Sequence, residues 1–374
     1  MVSDPPPTDA SPVSYARPLR SLDPWFDAHL DLAYLAECGR SMTDALVLNA
    51  QPHPPAGITL PSLVAGRVMA CLGTIFTEAI DSGGEAKYGT IAYPAGDAEA
   101  AHKAGLAQLA RYERWREMGL IRYLRDIDGT PPNGETSPIT LGILIECADP
   151  IRSPDEMAWW AQRGVVAVGM AWWKSSRYAG GNGTDGGLTP MGRDLASAMD
   201  DLGIVHDLSH LSQRATDELL AATSKPIIAS HSNCRSLIDG DNQRHLTDET
   251  IAEIGRRGGV IGLNLCAPFL MQSGDAGGPG GGVGGDNGVR ATIDDCVRHV
   301  EHICAVQGNR NGVGLGSDMD GGFSTDRLPI GITTPSNLDL ISDALKERGW
   351  TEDDLNGFRF GNWSRFFGLG SQVG

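Results

Sequence analysis

Eight short apolar runs separated by helical stretches set the strongest limit on what this chain can fold into. The runs are Phe26–Asp31, Arg67–Phe76, Thr140–Glu146, Val165–Trp172, Ile204–Ser209, Pro226–His231, Val260–Leu265 and Val313–Asp318. Continuous apolar strands alternating with helices imply parallel strands joined by right-handed crossovers. Eight of them are the number a (β/α)8 TIM barrel requires, and barrels of this kind reach 374 residues as one domain. The expected fold is therefore α/β. Helix signals fall between the runs as the pattern demands. A long amphipathic stretch covers Asp97 to Met118, and Thr189-Pro190 reads as an N-cap with Pro at N1 for a helix through Leu202. Ser212 caps another helix, Thr247-Asp248-Glu249 opens one that stops at Gly258-Gly259, and Thr351 opens one near the end.

The same runs end in chemistry. His29 and Asp31 close the first, two apart and so expected on one face of a strand. Glu146 ends Leu-Gly-Ile-Leu-Ile-Glu, where burying a carboxylate is costly without a partner or a metal. Asp-Leu-Ser-His ends at His210, Ala-Ser-His-Ser-Asn carries His231, and Asp318-Met-Asp320-Gly closes the last run. Imidazoles and carboxylates are ligands that Zn²⁺ accepts, and Mn²⁺ and Co²⁺ take the same mixed N/O set. Five such residues exceed what one ion needs. A pair of ions fits, with His29 and Asp31 on one, His210 and His231 on the other, and Glu146 shared. Two ions roughly 3.5–4 Å apart can hold a hydroxide between them as a nucleophile at neutral pH.

Composition removes other functions. A net charge of −17 argues against nucleic acid or an anionic membrane as partner. The seven cysteines form no C-x-x-C pair and read as reduced thiols. The first 24 residues, rich in Pro, Ser and Asp, read as a loose arm without the apolar core of a signal peptide. No window approaches the ~20 apolar residues of a membrane span. The expected location is the cytoplasm. The single catalytic domain is expected over 25–370, interrupted by a Gly-rich loop at 274–288. Gly314-Leu-Gly316 opens no helix and no Gly-x-Ser-x-Gly elbow has the needed context, so dinucleotide and serine-hydrolase readings lack support. His299 and His302 form a helical pair with no further ligand nearby, and His206 shares strand parity with His210 in a lower layer.

At the level of ordered motifs the sequence resembles the membrane dipeptidase (renal dipeptidase) family, peptidase family M19, in its bacterial members that lack a membrane anchor. The resemblance runs from about Asp23 to Phe367 through DAHLD, ILIE, RYAGG, GLTPMG, DLSH, IASHSN, RHLTDE, GGVIGLN and GLGSDMDG. It implies a dinuclear zinc peptidase with His29, Asp31, Glu146, His210 and His231 as ligands and Glu146 as the bridge. It further implies that Arg244 holds the C-terminal carboxylate of the substrate, a task suited to a planar guanidinium. Asp318 matches the residue that carries a proton to the leaving amine. The implied reaction is hydrolysis of small dipeptides, with tolerance of a D-configured C-terminal residue, and a homodimer is compatible with it.

The sequence departs from that pattern in Val-Gly-Met-Ala-Trp-Trp, where Trp172 stands at the family's histidine that polarises the scissile group. An indole N–H donates one hydrogen bond and cannot accept a proton. Trp172 and Trp173 read instead as walls of a pocket for an apolar or aromatic group. Two other readings therefore stay open: an amidohydrolase acting on another carboxylate-bearing amide, such as a lactam or an N-acyl amino acid, and a non-catalytic binding relative.

Overall fold

A computed structural model describes residues 23–48, 51–80, 91–126, 138–238, 241–271 and 290–369. The Gly-rich segment 274–288 and all but the last two residues of the arm 1–24 lie outside the described residues.

The eight apolar runs become eight parallel barrel strands: β1 Trp25–Leu30, β2 Val68–Phe76, β3 Ile139–Glu146, β4 Val165–Gly169, β5 Val205–Asp207, β6 Ile227–Ile228, β7 Ile261–Leu263 and β8 Val313–Leu315. β8 pairs back onto β1, so the ladder runs in sequence order from β7 through β8 and β1 to β6. A parallel bridge between Ala229 and Ile261 joins β6 to β7 and completes the ring, with Gly262 N donating to Ala229 O at 2.8 Å. Buried strands with helices outside read as continuous apolar runs because both faces are covered. β3 is buried along its whole length for this reason. A short strand, Ile121–Tyr123, pairs with the early part of β3, and Glu78–Ile80 pairs with Ala92–Pro94 in a separate two-stranded sheet.

The helices follow the local signals. Asp97, Thr189, Ser212 and Thr247 each accept a backbone N–H three residues on, capping helices Ala98–Glu117, Pro190–Leu202, Gln213–Ala222 and Asp248–Arg256. Thr351 and Asp354 form a reciprocal capping box at the helix Glu352–Asn356. The main apolar cluster lies between strands and helices. A second draws Phe26, Ala28, Leu72, Leu144, Val166 and Ile228 from different strands and closes on Trp363. Phe26 stacks on Phe367 with centroids 5.9 Å apart, adding to this second cluster. No helix among the described residues is long and apolar enough to cross a membrane, and all seven cysteines are free thiols.

The strands are shorter than the apolar runs, and the difference matters for the site. β1 ends at Leu30, so Asp31 is not a strand residue but the N-cap of the helix Leu32–Glu37. The ladder from β1 to β2 shifts register between Asp27 and Leu30. Such a shift changes which way side chains point, and His29 faces the centre although Ala28 already packs in the lumen cluster. His210, His231, Trp172 and Asp318 likewise lie beyond their strands. His206 does not face the lumen: its Nε2 meets Asp200 of the outer helix Pro190–Leu202 at 2.8 Å.

Candidate metal centre

The ligand-type residues converge at the C-terminal end of the barrel. β2, β3, β4 and β5 are in register there, Phe76 beside Glu146, Glu146 beside Gly169 and Gly169 beside Asp207. Glu146 Oε1 is 3.1 Å from His210 Nε2 and 3.6 Å from His231 Nε2, and its Oε2 is 3.5 Å from His29 Nε2. His29 Nε2 also stands 3.7 Å from Asp31 Oδ1. Two overlapping groups, His29–Glu146–His231 and His29–Asp31–Asp318, each offer three ligand-type atoms that lie within 4.8 Å of one another inside the group. The five ligand positions read from the sequence, and Asp318 beside them, are thus brought together. His29 Nε2 is buried and has no hydrogen-bond partner, and a buried imidazole nitrogen in that condition fits a site built to hold a metal ion.

The backbone is bent to achieve this. Among the described residues, Cys147, His210, Asp318 and Asp320 take left-handed φ values of 80°, 67°, 58° and 61°. Such conformations persist only where surrounding structure enforces them, and they cluster at functional sites. Gly321 has no room for a side chain: a Cβ there would sit 1.8 Å from Asp318 Oδ1.

Each imidazole has an oxygen at its outer nitrogen. Asn182 Oδ1 lies 3.1 Å from His210 Nδ1, and Ser230 Oγ lies 2.8 Å from His231 Nδ1 and 3.3 Å from His29 Nδ1. Asp31 accepts a short hydrogen bond from Thr74, and Asp318 Oδ2 accepts one from Asn264 Nδ2 at 3.0 Å. Asp27 ties β1 to the end of β8 by accepting from His29 N at 3.2 Å and Ser317 N at 2.8 Å. Asp207, Ser230, Asn182, Asn264 and Asp27 carry no ligand-type spacing of their own. For Asp27, Asp207 and Ser230 the only signal in the sequence is proximity to a ligand-type His, and Asn182 and Asn264, 28 residues from His210 and 54 from Asp318, carry none.

Electrostatics mark the same point. Burial pushes Glu146 up to about 8 against the pull of Arg244, and burial followed by neighbouring carboxylates pushes Asp318 up to about 8. Burial first, then Arg244 and the other histidines, holds His210 and His231 well below the usual imidazole range, so their rings are neutral. Neutral imidazoles are what a metal requires.

A cavity of about 400 Å³ opens over these residues. Arg244 lines one side, donating to Ser232 Oγ and His231 O at 2.8 Å each while its Nε is buried without a partner. Phe269 lies under its guanidinium at 5.2 Å. Trp172 lines another side, edge-on to Phe76 at 5.1 Å and tilted against His210 at 5.9 Å, with the exposed Trp173 beside it. His299 and His302 stand apart from the cavity: Cys234 N donates to His299 Nδ1, and His302 Nε2 meets Asp248 at 2.8 Å.

The barrel and the ligand cluster at its C-terminal mouth define a (β/α)8 fold of the metal-dependent hydrolase type. The model of the membrane dipeptidase family, peptidase family M19, matches residues 14–373, and the chain belongs to that family. An uncharacterized dipeptidase of Schizosaccharomyces pombe is 30% identical over 175 residues, 47% of this chain and 38% of that protein. Dipeptidase 3 of Rattus norvegicus is 29% identical over 187 residues, 50% of this chain and 34% of that protein. The matched segment thus spans little more than a third of these curated relatives. A solved structure described as the dipeptidase AC, a metallo peptidase of family M19, has a TM-score of 0.73 at 22% identity, covering 93% of this chain and 98% of that one. A metallo peptidase from Rhodobacter sphaeroides, solved with a phosphinate mimic of the dipeptide L-Ala-D-Ala, has a TM-score of 0.71 at 23% identity over 92% and 98%. Likeness at this identity speaks to the fold.

Proposed function

We propose that this chain is a dinuclear zinc-dependent dipeptidase that hydrolyses the peptide bond of small dipeptides and tolerates a D-configured residue at their C-terminal position. The observation that carries this reading is the convergence of three imidazole Nε2 atoms on the two oxygens of Glu146, in a cavity walled by a buried arginine. His29 and Asp31 would hold one ion, His210 and His231 the other, and Glu146 both. Bound zinc would supply a water activated at neutral pH and a Lewis acid for the carbonyl oxygen.

The chain's own residues do the rest. Arg244 presents a desolvated guanidinium whose two terminal nitrogens are already fixed, so a substrate carboxylate meets a charge that no longer has to be ordered. That anchor, set beside the ligand cluster in a cavity of about 400 Å³, favours a dipeptide over a longer chain. Asp318, buried beside His29 and Asp31 at the edge of the cavity, is placed to carry a proton to the leaving nitrogen. Trp172 and Phe76 supply an apolar wall that excludes water from one side of the substrate.

The membership of the family and the phosphinate mimic of L-Ala-D-Ala held by the Rhodobacter sphaeroides relative support this substrate class. The Trp172 wall favours a second reading, an amidohydrolase for an N-acyl amino acid or a lactam. A panel of L,L and L,D dipeptides against N-acyl amino acids and lactams, run on zinc-loaded protein with Asp318→Asn as control, separates the two. Turnover confined to the acyl and lactam arms would sink the dipeptidase reading. Metal analysis of the same preparations, with Mn²⁺ and Co²⁺ reconstitution, tests the ion.

A further inference from the structure

Ser230 Oγ touches two of the three ligand-type histidines at once. It lies 2.8 Å from His231 Nδ1 and 3.3 Å from His29 Nδ1, across a gap of 201 residues in the chain for the second contact. The two rings are stacked with centroids 3.5 Å apart, so one atom can reach the outer nitrogens of both. The same hydroxyl is 2.5 Å from Asp207 Oδ2, and Asp207 Oδ1 accepts from Ser209 N and Ser230 N at 3.0 and 2.8 Å.

A hydroxyl has one proton and two lone pairs. Asp207 Oδ1 is taken up by two backbone donors, and Oδ2 faces the Ser230 hydroxyl, which donates its proton there. Ser209 Oγ also lies near, at 3.4 Å, farther than Asp207 Oδ2 and than either imidazole, so both lone pairs of Oγ are left for the imidazoles, and each can only accept. An acceptor at Nδ1 requires the proton on Nδ1, which leaves the lone pair at Nε2. Those two Nε2 atoms face Glu146, at 3.5 Å for His29 and 3.6 Å for His231. Ser230 is completely buried, so no water competes for the arrangement.

We infer that Ser230, held by Asp207, is a positioning residue that sets the tautomer of His29 and His231 together and so couples the two ion sites. The inference rests on the two-ion reading above, in which His29 serves one ion and His231 the other. His210 is outside this control, because its Nδ1 faces Asn182 Oδ1 instead.

The test is a Zn²⁺ titration of the metal-free chain against a competing chelator, with no substrate present. Wild type takes up two ions. Ser230→Ala weakens both, each by about 10–100-fold, the usual cost of losing an outer partner of a ligand. Asn182→Ala weakens one ion only, and Ser230→Thr, which keeps the hydroxyl, recovers affinity for both. ¹⁵N spectra of the histidines in the metal-free chain supply a second readout: His29 and His231 are Nδ1-protonated in wild type and mixed in Ser230→Ala. Wild-type affinity at either site in folded Ser230→Ala, or unaltered tautomers, overturns the inference. If Ser230→Ala does not fold, the wild-type spectrum decides, and an Nε2-protonated His29 or His231 rejects it. A wild type that binds two ions but cleaves no dipeptide sinks the substrate reading alone, whereas a wild type that binds a single ion sinks both.

Discussion

The Nε2 atoms of His210 and His231 stand 3.0 Å apart at the mouths of adjacent strands. Two ring nitrogens that close, with the Glu146 carboxyl beside them, leave a cation a ready place to bind, so a bound ion should stabilise the folded chain. Chelation is expected to lower Tm and Zn²⁺ to restore it in a concentration-dependent way, as for any ligand that binds only the folded state. A Tm indifferent to zinc would count against the site.

The metal-free chain should also lose stability as pH rises. Glu146 has a folded pKa of about 8, above its ordinary value of 4.5, so between those values the folded state holds more protons than the unfolded one. Stability then falls with rising pH over that window and levels off above it. Thermal melts of chelated protein from pH 5 to 9 should show this slope, to which Asp318, also pushed up to about 8, contributes; Glu146→Gln, which cannot ionise, should reduce it and leave the Asp318 share.

Arg244→Ala is expected to raise KM for dipeptides by roughly 10–100-fold, the loss of a charge-assisted hydrogen-bonded contact. Zinc content should be unchanged, because the guanidinium contacts Ser232 and the His231 carbonyl rather than a ligand atom. An unaltered KM would remove Arg244 from the substrate site.

Gly321→Ala should act on Asp318 without touching it chemically. The new Cβ would fall 1.8 Å from Asp318 Oδ1 and 3.1 Å from Asp31 Oδ2, so the carboxylate must move. The expected result is a fall in kcat approaching that of Asp318→Asn, roughly 10²-fold or more for a displaced proton-transfer group. A variant with wild-type turnover would show that the position of Asp318 is not critical.

Trp172→His replaces an apolar wall with a ring able to donate and accept. It should shift the ratio of turnover between dipeptides with apolar and with polar residues, read as kcat/KM across the panel. No change in turnover or in the profile would mean that Trp172 takes no part in recognition.

Much of the fold was legible because its signals are local. The apolar runs marked all eight barrel strands, and capping residues such as Thr189-Pro190 and Thr247 marked helix starts to the residue. Strand ends were less legible, since an apolar run continues after the ladder stops. His210 and Asp318 leave their strands through left-handed turns that no side-chain pattern announces. The period-two argument placed His29 and Asp31 together correctly, but by a different route: a register shift turns His29 inward and a helix start carries Asp31.

The sequence by itself determined the elements, the ligand types and their place at the barrel mouth, because periodicity, capping and the cost of burying a carboxylate all act within a few residues. The tertiary structure decided what those residues face. It put Ser230 between His29 and His231, turned His206 outward to Asp200, and set Asp318 among the ligand-type residues beside a glycine that has no room for a side chain. The contact of Ser230 with His29 joins residues 201 apart in the chain, and even the shorter-range relations depend on how the closed ring of strands orients each side chain.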